Sequence, residues 1–197
     1  MGPRASPSNW PAGLRYTETY AYHSSVDADA RAFIRGDATT SSHADDASQH
    51  SVAIKRISEA GHPAAGQLGL FATKKIPPKT RIVYYIGEVH ADERLESDYD
   101  LCLHRFPGGA SIGIDASKVG NAARFVNDYR GVRPKPNAVF KDERHAASGE
   151  LRIAIWSGTE GIRKGEEILV SYGKGWWTAR NQHGGDVQGR GSQDASH

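Results

Sequence analysis

Between about residues 50 and 180, apolar and polar residues alternate in short runs bounded by glycine, proline, asparagine and aspartate. A period of two is typical of β-strands, and the bounding residues favour turns. The predicted strands are SVAIKRI, RIVYYIGEV, SDYDLCLHRF, ASIGIDAS, NAVFKD, LRIAIWS and EEILVSYG, with PGG as a turn before the fourth. No helices of 10 to 15 residues alternate with these strands, which argues against a βαβ fold. The pattern predicts a small, mostly β domain over residues 51–180.

A helical period appears twice. Residues 26–35 predict a short amphipathic helix with Ser25 as N-cap and Gly36 as C-cap. Its apolar residues follow the spacing i, i+4, i+7, i+8: Val26, Ala30, Phe33 and Ile34. We expect this helix to dock on the domain rather than bind a partner. The second short helix lies in GNAARFVNDYRG, with Asn121 as N-cap, and it runs into a polar turn.

The rest of both termini is polar. Residues 1–50 are rich in serine, alanine, aspartate and histidine, and lysine first occurs at Lys55. The segment 181–197 is rich in glycine. Such compositions bury too little apolar surface to fold. We therefore predict a largely disordered N-terminal segment over 1–50, apart from the short helix, and a disordered tail over 181–197.

Composition limits the classes of protein to be considered. The 25 basic and 23 acidic side chains give a net charge of +2, which neither demands nor excludes nucleic-acid binding, although a DNA-binding protein usually shows a clustered basic face. One cysteine, Cys102, can form neither a disulfide framework nor a zinc cluster, which favours a reducing, intracellular compartment. No window approaches the roughly 18 apolar residues of a membrane span, so we expect a soluble chain. No bound metal is predicted.

Taken singly, the remaining motifs have structural explanations as well as functional ones. The stretch GQLGLFAT is either a tight turn or a glycine loop at a ligand. Tyr84 and Tyr85 are adjacent on a strand and face opposite sides, so one of them can reach a cleft. Trp176 and Trp177 cover either the core or a flat ligand. Tyr172 is either a strand-end residue bonded to backbone or a functional hydroxyl.

The order of the motifs is more specific than any one of them. A Gly-x-x-Gly turn before Phe-Ala, a Tyr-x-Gly-Glu-Val block, Asp-Tyr-x-Leu, Ile-Asp-Ala, Gly-Asn-x-Ala-Arg-Phe-x-Asn and Gly-Glu-Glu-Ile-x-x-x-Tyr-Gly follow one another. This series, over about residues 53–180, resembles the SET domain of protein lysine methyltransferases. It is closest to the compact, zinc-free form seen in viral and fungal SET proteins. The resemblance implies small curved β-sheets around a knot-like crossing, where the Arg-Phe-x-Asn and Tyr-Gly segments lie side by side.

The resemblance also implies S-adenosylmethionine as cofactor. Asn127 would contact its methionine end, Asp128 its adenine through backbone groups, and Trp177 would stack on the adenine. The implied cofactor-binding residues are Leu68, Gly69, Tyr99, Arg124, Phe125, Asn127, Asp128, Tyr172 and Trp177.

The implied reaction is methyl transfer to the ε-amine of a lysine. Tyr172 and Tyr85 are the implied catalytic residues, and Tyr85 and Val170 line the implied substrate channel. Val170 lies on the same face of its strand as Tyr172. The resemblance implies that a small residue at this position favours di- or trimethylation. A histone tail is the favoured substrate of a nuclear or cytoplasmic enzyme, with a non-histone cytosolic protein as the alternative. The sequence does not indicate an oligomeric state.

The chain departs from the family at informative positions. Asn127 is followed by Asp-Tyr-Arg where the family has His-Ser-Cys, Gln67 replaces the first glycine of Gly-x-Gly, and Tyr84 replaces an acidic residue. These departures favour a rival hypothesis, in which the chain is a SET-fold binding or scaffold module with weakened catalysis. The retained Tyr172, Tyr85 and Asn127 favour an enzyme.

Overall fold

The computed structural model describes residues 6–36 and 52–173. Within these ranges the chain is mostly β, with one α-helix, α1 (Ala28–Arg35), and a 3₁₀ helix (Ala122–Phe125). The strands are β1 Arg15–Tyr16, β2 Ala21–Tyr22, β3 Val52–Arg56, β4 Leu68–Ala72, β5 Arg81–Tyr85, β6 Glu88–His90, β7 Asp100–Arg105, β8 Ser111–Asp115, β9 Val119–Gly120, β10 Asn127–Asp128, β11 Ala138–Arg144, β12 Leu151–Ser157 and β13 Leu169–Val170.

These strands form five small sheets in the described part of the chain. The orders are β2-β6-β8-β7, β11-β12-β5, β3-β4, β1-β9 and β10-β13. The last pair is parallel and joins Asn127 to Leu169 and Asp128 to Val170. The Arg-Phe-x-Asn segment therefore lies against the strand that leads into Tyr172, and this confirms the adjacency that the sequence predicts.

The predicted strands are present, and one of them is divided. RIVYYIGEV forms β5 and β6 with a break at Ile86 and Gly87. Asn121, the N-cap of the 3₁₀ helix, donates from Nδ2 to Tyr84 O at 2.9 Å and accepts from Ile86 N at 3.4 Å. The buried amide thus replaces the hydrogen bonds that the strand loses at its break.

GQLGLFAT is a strand rather than only a turn. Strand β4 pairs antiparallel with β3 along its whole length, and Leu70 is fully buried. The tight-turn interpretation applies only to Gly66, which has a φ of 80° just before the strand begins.

The prediction of disorder over residues 1–50 is wrong for residues 6–36. Strand β1 pairs with β9, strand β2 pairs with β6, and the α1 residue Ile34 is fully buried, so the helix docks as expected. It begins at Ala28 rather than at residue 26, because the N-cap is Asp27 and not Ser25. A few apolar residues, together with the pairing of its two short strands with other strands, are enough to order this segment. Overall composition does not reveal either feature.

The core collects branched apolar side chains from most of the sheets. Fully buried members include Ile34, Ile54, Leu70, Ile82, Ile86, Ile114, Ile155, Ile168 and Val170. The 3₁₀ helix packs between β3, β4 and β5, which brings the segment after it to the edge of a cavity. None of the described helices is long and apolar enough to cross a membrane.

Candidate active site

One cavity of about 840 Å³ collects most of the residues that the sequence predicts for the site. Its walls include Leu68, Tyr85, Tyr99, Arg124, Phe125, Asn127, Asp128 and Tyr172. Lining residues that sequence reasoning missed are Pro11, His62, Pro63, Ala64, Gln67, Asp98, Asp100, Leu101, Cys102, Val126, Arg130 and Phe140.

Two tyrosine hydroxyls in this cavity are oriented by backbone carbonyls. Tyr85 Oη donates to Tyr99 O at 2.7 Å, and Tyr172 Oη donates to Val126 O at 2.8 Å. Each hydroxyl is thereby held in a fixed orientation, with its proton directed to a backbone carbonyl. Tyr172 is therefore hydrogen-bonded to backbone, as expected for a purely structural strand-end residue, but its side chain also lines the cavity.

Tyr85 keeps its phenolic proton near neutral pH. Burial raises the pKa of Tyr85 well above the ordinary value of 10, and the nearby Arg124 guanidinium opposes this only in part. The side chain thus serves as a neutral, fixed hydrogen-bonding group.

Aromatic rings and a cation form another wall. Arg124 is fixed by a hydrogen bond from Nε to Ala116 O at 2.8 Å, and its guanidinium lies 4.0 Å from the centre of the Tyr99 ring. Phe125 is buried, and Trp10 from the N-terminal segment packs edge-on against it with 5.6 Å between ring centres. A segment that precedes the family-like region therefore supports the cavity.

Asn127 presents one half of its side-chain amide to this cavity. Its Nδ2 donates to Glu167 Oε1 at 2.8 Å and to Leu68 O at 3.4 Å. Among the described residues, no group donates to its Oδ1. The amide oxygen is therefore a free acceptor at the wall.

The Asp-Tyr-Arg departure forms a network of its own. Asp128 Oδ2 accepts from Tyr172 N and from the Arg130 guanidinium, both at 2.8 Å. Asp128 Oδ1 accepts from Arg130 N at 2.9 Å. The buried carboxylate thus ties β10 to the backbone of Tyr172, a role that the sequence did not suggest.

Three predicted site residues are not found at the cavity wall. Gly69 lies behind it, where an added Cβ would come within 2.6 Å of Glu167 Oε1. Its lack of a side chain makes room for that carboxylate. Val170 is fully buried in the core and is not a lining residue, so its role in the channel stays a prediction. Trp177 lies outside the described residues.

Some of the missed residues belong to recognisable sequence motifs, and others do not. Glu167 belongs to the Gly-Glu-Glu block, so its identity was available although its contact with Asn127 was not. His62 and Pro11 lie in stretches with no recognisable motif. Among the described residues, no cluster of three or more histidine, cysteine or acidic side chains is arranged to hold a metal ion.

Comparisons with known proteins agree with this geometry. The family model for the SET domain matches residues 67–173. The histone-lysine N-methyltransferase EHMT1 of Homo sapiens is 32% identical over 118 residues, which are 58% of this chain and 9% of that protein. The histone-lysine N-methyltransferase set-2 of Caenorhabditis elegans is 38% identical over 112 residues, which are 53% of this chain and 7% of that protein. The chain thus spans less than a tenth of these two relatives.

The fold has a counterpart among solved structures. The crystal structure of ATXR5 in complex with a mono-methylated histone H3.1 aligns with a TM-score of 0.54, over 81% of each chain, at 18% identity. At that identity the likeness concerns the fold alone. Together with the family match over more than half of the 197 residues, it leads to one conclusion: this chain belongs to the SET-domain family.

Proposed function

We propose that this chain is an S-adenosylmethionine-dependent protein-lysine N-methyltransferase. The observation that carries the proposal is the cavity that unites Tyr85, Asn127 and Tyr172 from three separate segments. SET domains use S-adenosylmethionine as cofactor.

The residues present fit that cofactor. Its methionine end carries an ammonium group, and the Asn127 Oδ1 atom is an acceptor without a donor among the described residues. Phe125 and Tyr99 offer apolar surface for the rest of the molecule. Arg124, Asn127 and the backbone of Asp128 would hold it. When bound, the cofactor supplies an electrophilic methyl group on a sulfonium.

The chain's own residues would orient the lysine and favour its neutral form, whose proton is lost to solvent before the transfer. A lysine amine has an ordinary pKa of about 10.4, and desolvation beside the aromatic walls lowers it. The hydroxyl oxygens of Tyr85 and Tyr172 are held in place by their bonds to backbone carbonyls and would accept hydrogen bonds from the amine. The same fixed oxygens stabilise positive charge around the methyl group during transfer. Alignment alone can contribute roughly 7–11 kcal/mol to lowering the barrier.

A histone tail is the proposed substrate, which would imply a nuclear role. Two relatives above 30% identity carry the name histone-lysine N-methyltransferase. Incubation with labelled S-adenosylmethionine and separate histone and cytosolic extracts tests this. Labelling confined to the cytosolic extract would favour a non-histone substrate.

We expect Asn127→Ala to weaken S-adenosylmethionine binding by about 1–3 kcal/mol, because an oriented, partly buried amide is lost. Calorimetry on wild type and variant measures the change, and thermal unfolding without ligand controls for folding. In wild type, cofactor at about 100 times its Kd should add about 2.7 kcal/mol of stability. No stabilisation of wild type would favour a scaffold over an enzyme.

We propose di- or trimethylation as the product and expect Val170→Tyr to shift it toward monomethyl-lysine. Valine has no hydroxyl and little bulk, whereas tyrosine would crowd the region beside Tyr172. Because Val170 is fully buried, the larger ring should also cost about 1–3 kcal/mol of stability. Mass spectrometry of the modified substrate measures the product. Val139→Tyr, at an exposed strand position, is the matched control. A wild type that stops at one methyl under excess cofactor would contradict this assignment.

A further inference from the structure

Asn127 is one end of a row of three polar side chains from distant parts of the chain, with Glu167 and His62 behind it. His62 Nε2 lies 3.0 Å from Glu167 Oε2, and Glu167 Oε1 accepts from Asn127 Nδ2 at 2.8 Å. The His62 and Glu167 side chains are only 3% and 9% exposed. Buried polar groups of this kind strongly constrain one another's orientation.

The hydrogen-bond partners fix the direction of each bond in the row. Ala64 N donates to His62 Nδ1 at 3.0 Å, so Nδ1 is an acceptor and the ring proton is on Nε2. His62 Nε2 therefore donates to one carboxylate oxygen of Glu167. The other oxygen accepts from the Asn127 amide nitrogen. Glu167 is thus held at both oxygens.

This arrangement prevents the Asn127 amide from flipping. A flipped amide would place Oδ1 against Glu167 Oε1 and the Leu68 carbonyl, and like partial charges would repel. The oxygen of Asn127 is therefore the atom left for a ligand. Gly69 leaves space for this arrangement, because any Cβ at that position would meet the Glu167 carboxylate.

We propose that His62 and Glu167 are positioning residues, which fix the Asn127 amide so that its oxygen receives the α-ammonium group of the cofactor. The proposal rests on the function proposed above and deepens it. His62 precedes residues 67–173, the part that matches the SET-domain family. The role of His62 is to favour a ligand that carries an amine. It acts through the side chains of Glu167 and Asn127.

The test is calorimetry with two ligands, S-adenosylhomocysteine and its analogue without the α-amine. We expect His62→Leu to weaken S-adenosylhomocysteine binding about tenfold, a loss typical of one oriented polar group, and to leave the analogue nearly unaffected. His62→Gln, whose amide can still donate to Glu167, should restore most of the affinity. His23→Leu, at a histidine outside the cavity, is the matched control and should change neither ligand.

The binding comparison uses only variants that fold. A second measurement needs no ligand. Nitrogen-15 NMR of the full chain should find the His62 proton on Nε2. A proton on Nδ1, an equal loss for both ligands, or failure of glutamine to restore binding would overturn the positioning role. If wild type binds neither ligand, the proposed function itself fails, and the inference fails with it. The two failures are therefore distinguishable.

Discussion

Tyr172→Phe should lower kcat about a hundredfold while leaving most cofactor affinity intact, the order of effect seen when one oriented polar group is lost. The hydroxyl lines the cavity and donates to Val126 O at 2.8 Å, so its oxygen is held in place before substrate arrives. Phenylalanine keeps the ring and removes that oxygen. Because the oxygen acts on the transition state, the loss belongs in kcat rather than in cofactor binding. Single-turnover kinetics and calorimetry on the same preparations measure the two quantities.

Strand β5 supplies a matched control for Tyr172→Phe. Tyr84 also loses a hydrogen-bonded hydroxyl when changed to phenylalanine, since its Oη donates to Glu143 Oε1 at 2.9 Å. Tyr84 does not line the cavity. Tyr84→Phe should therefore affect stability and leave kcat unchanged. Should Tyr172→Phe turn over like wild type, Tyr172 is a packing residue whose hydroxyl serves only the Val126 carbonyl.

Local patterns in the sequence predicted most of the fold. Strand alternation is set by neighbours two residues apart, so segments such as β11 and β12 could be located without knowing their partners. The break between β5 and β6 could not, because it depends on Asn121, 35 residues further along the chain. The docked N-terminal segment was missed for the same reason. Its order depends on pairing with β6 and β9 rather than on its own composition.

In the candidate site, too, some residues could be predicted from the sequence and others could not. Tyr85, Asn127 and Tyr172 belong to recognisable blocks, and the cavity unites them. His62 contacts Glu167 across 105 positions of sequence, and neither residue's neighbours indicate the other. Contacts of this kind arise from the fold as a whole, so no window of sequence contains them.

Asp128 shows how a departure from the family pattern can be absorbed. The sequence suggested only a backbone role for this residue, which the change from histidine leaves intact. In the structure its carboxylate accepts from Tyr172 N and from the backbone and side chain of Arg130. The arginine two residues later supplies the cation that pairs with this carboxylate. Besides the guanidinium, the carboxylate accepts from two backbone N–H groups, so its charge is compensated by more than one group.

This network leads to the second large effect, expected for Asp128→Ala. The variant leaves the Tyr172 N–H without its acceptor, which should cost about 1–3 kcal/mol of stability. It also frees the backbone that positions the Tyr172 hydroxyl, so we expect kcat to fall about tenfold or more, since small misplacements of reacting groups have large effects. Cofactor affinity should change little, because the proposed adenine contacts use the peptide groups of Asp128, which alanine retains.

Arg130→Ala separates the two parts of this effect. It removes the ion pair between Arg130, whose side chain is 36% exposed, and Asp128. The bond from Tyr172 N to the Asp128 carboxylate remains. A partly exposed pair contributes roughly 0–1 kcal/mol, so this variant should lose little stability and keep most of its turnover. Thermal unfolding and kcat are measured for both variants and for the double variant. If Asp128→Ala matches wild type in both quantities, the carboxylate does not position Tyr172. If Arg130→Ala loses as much kcat as Asp128→Ala, the guanidinium rather than the backbone bond carries the effect.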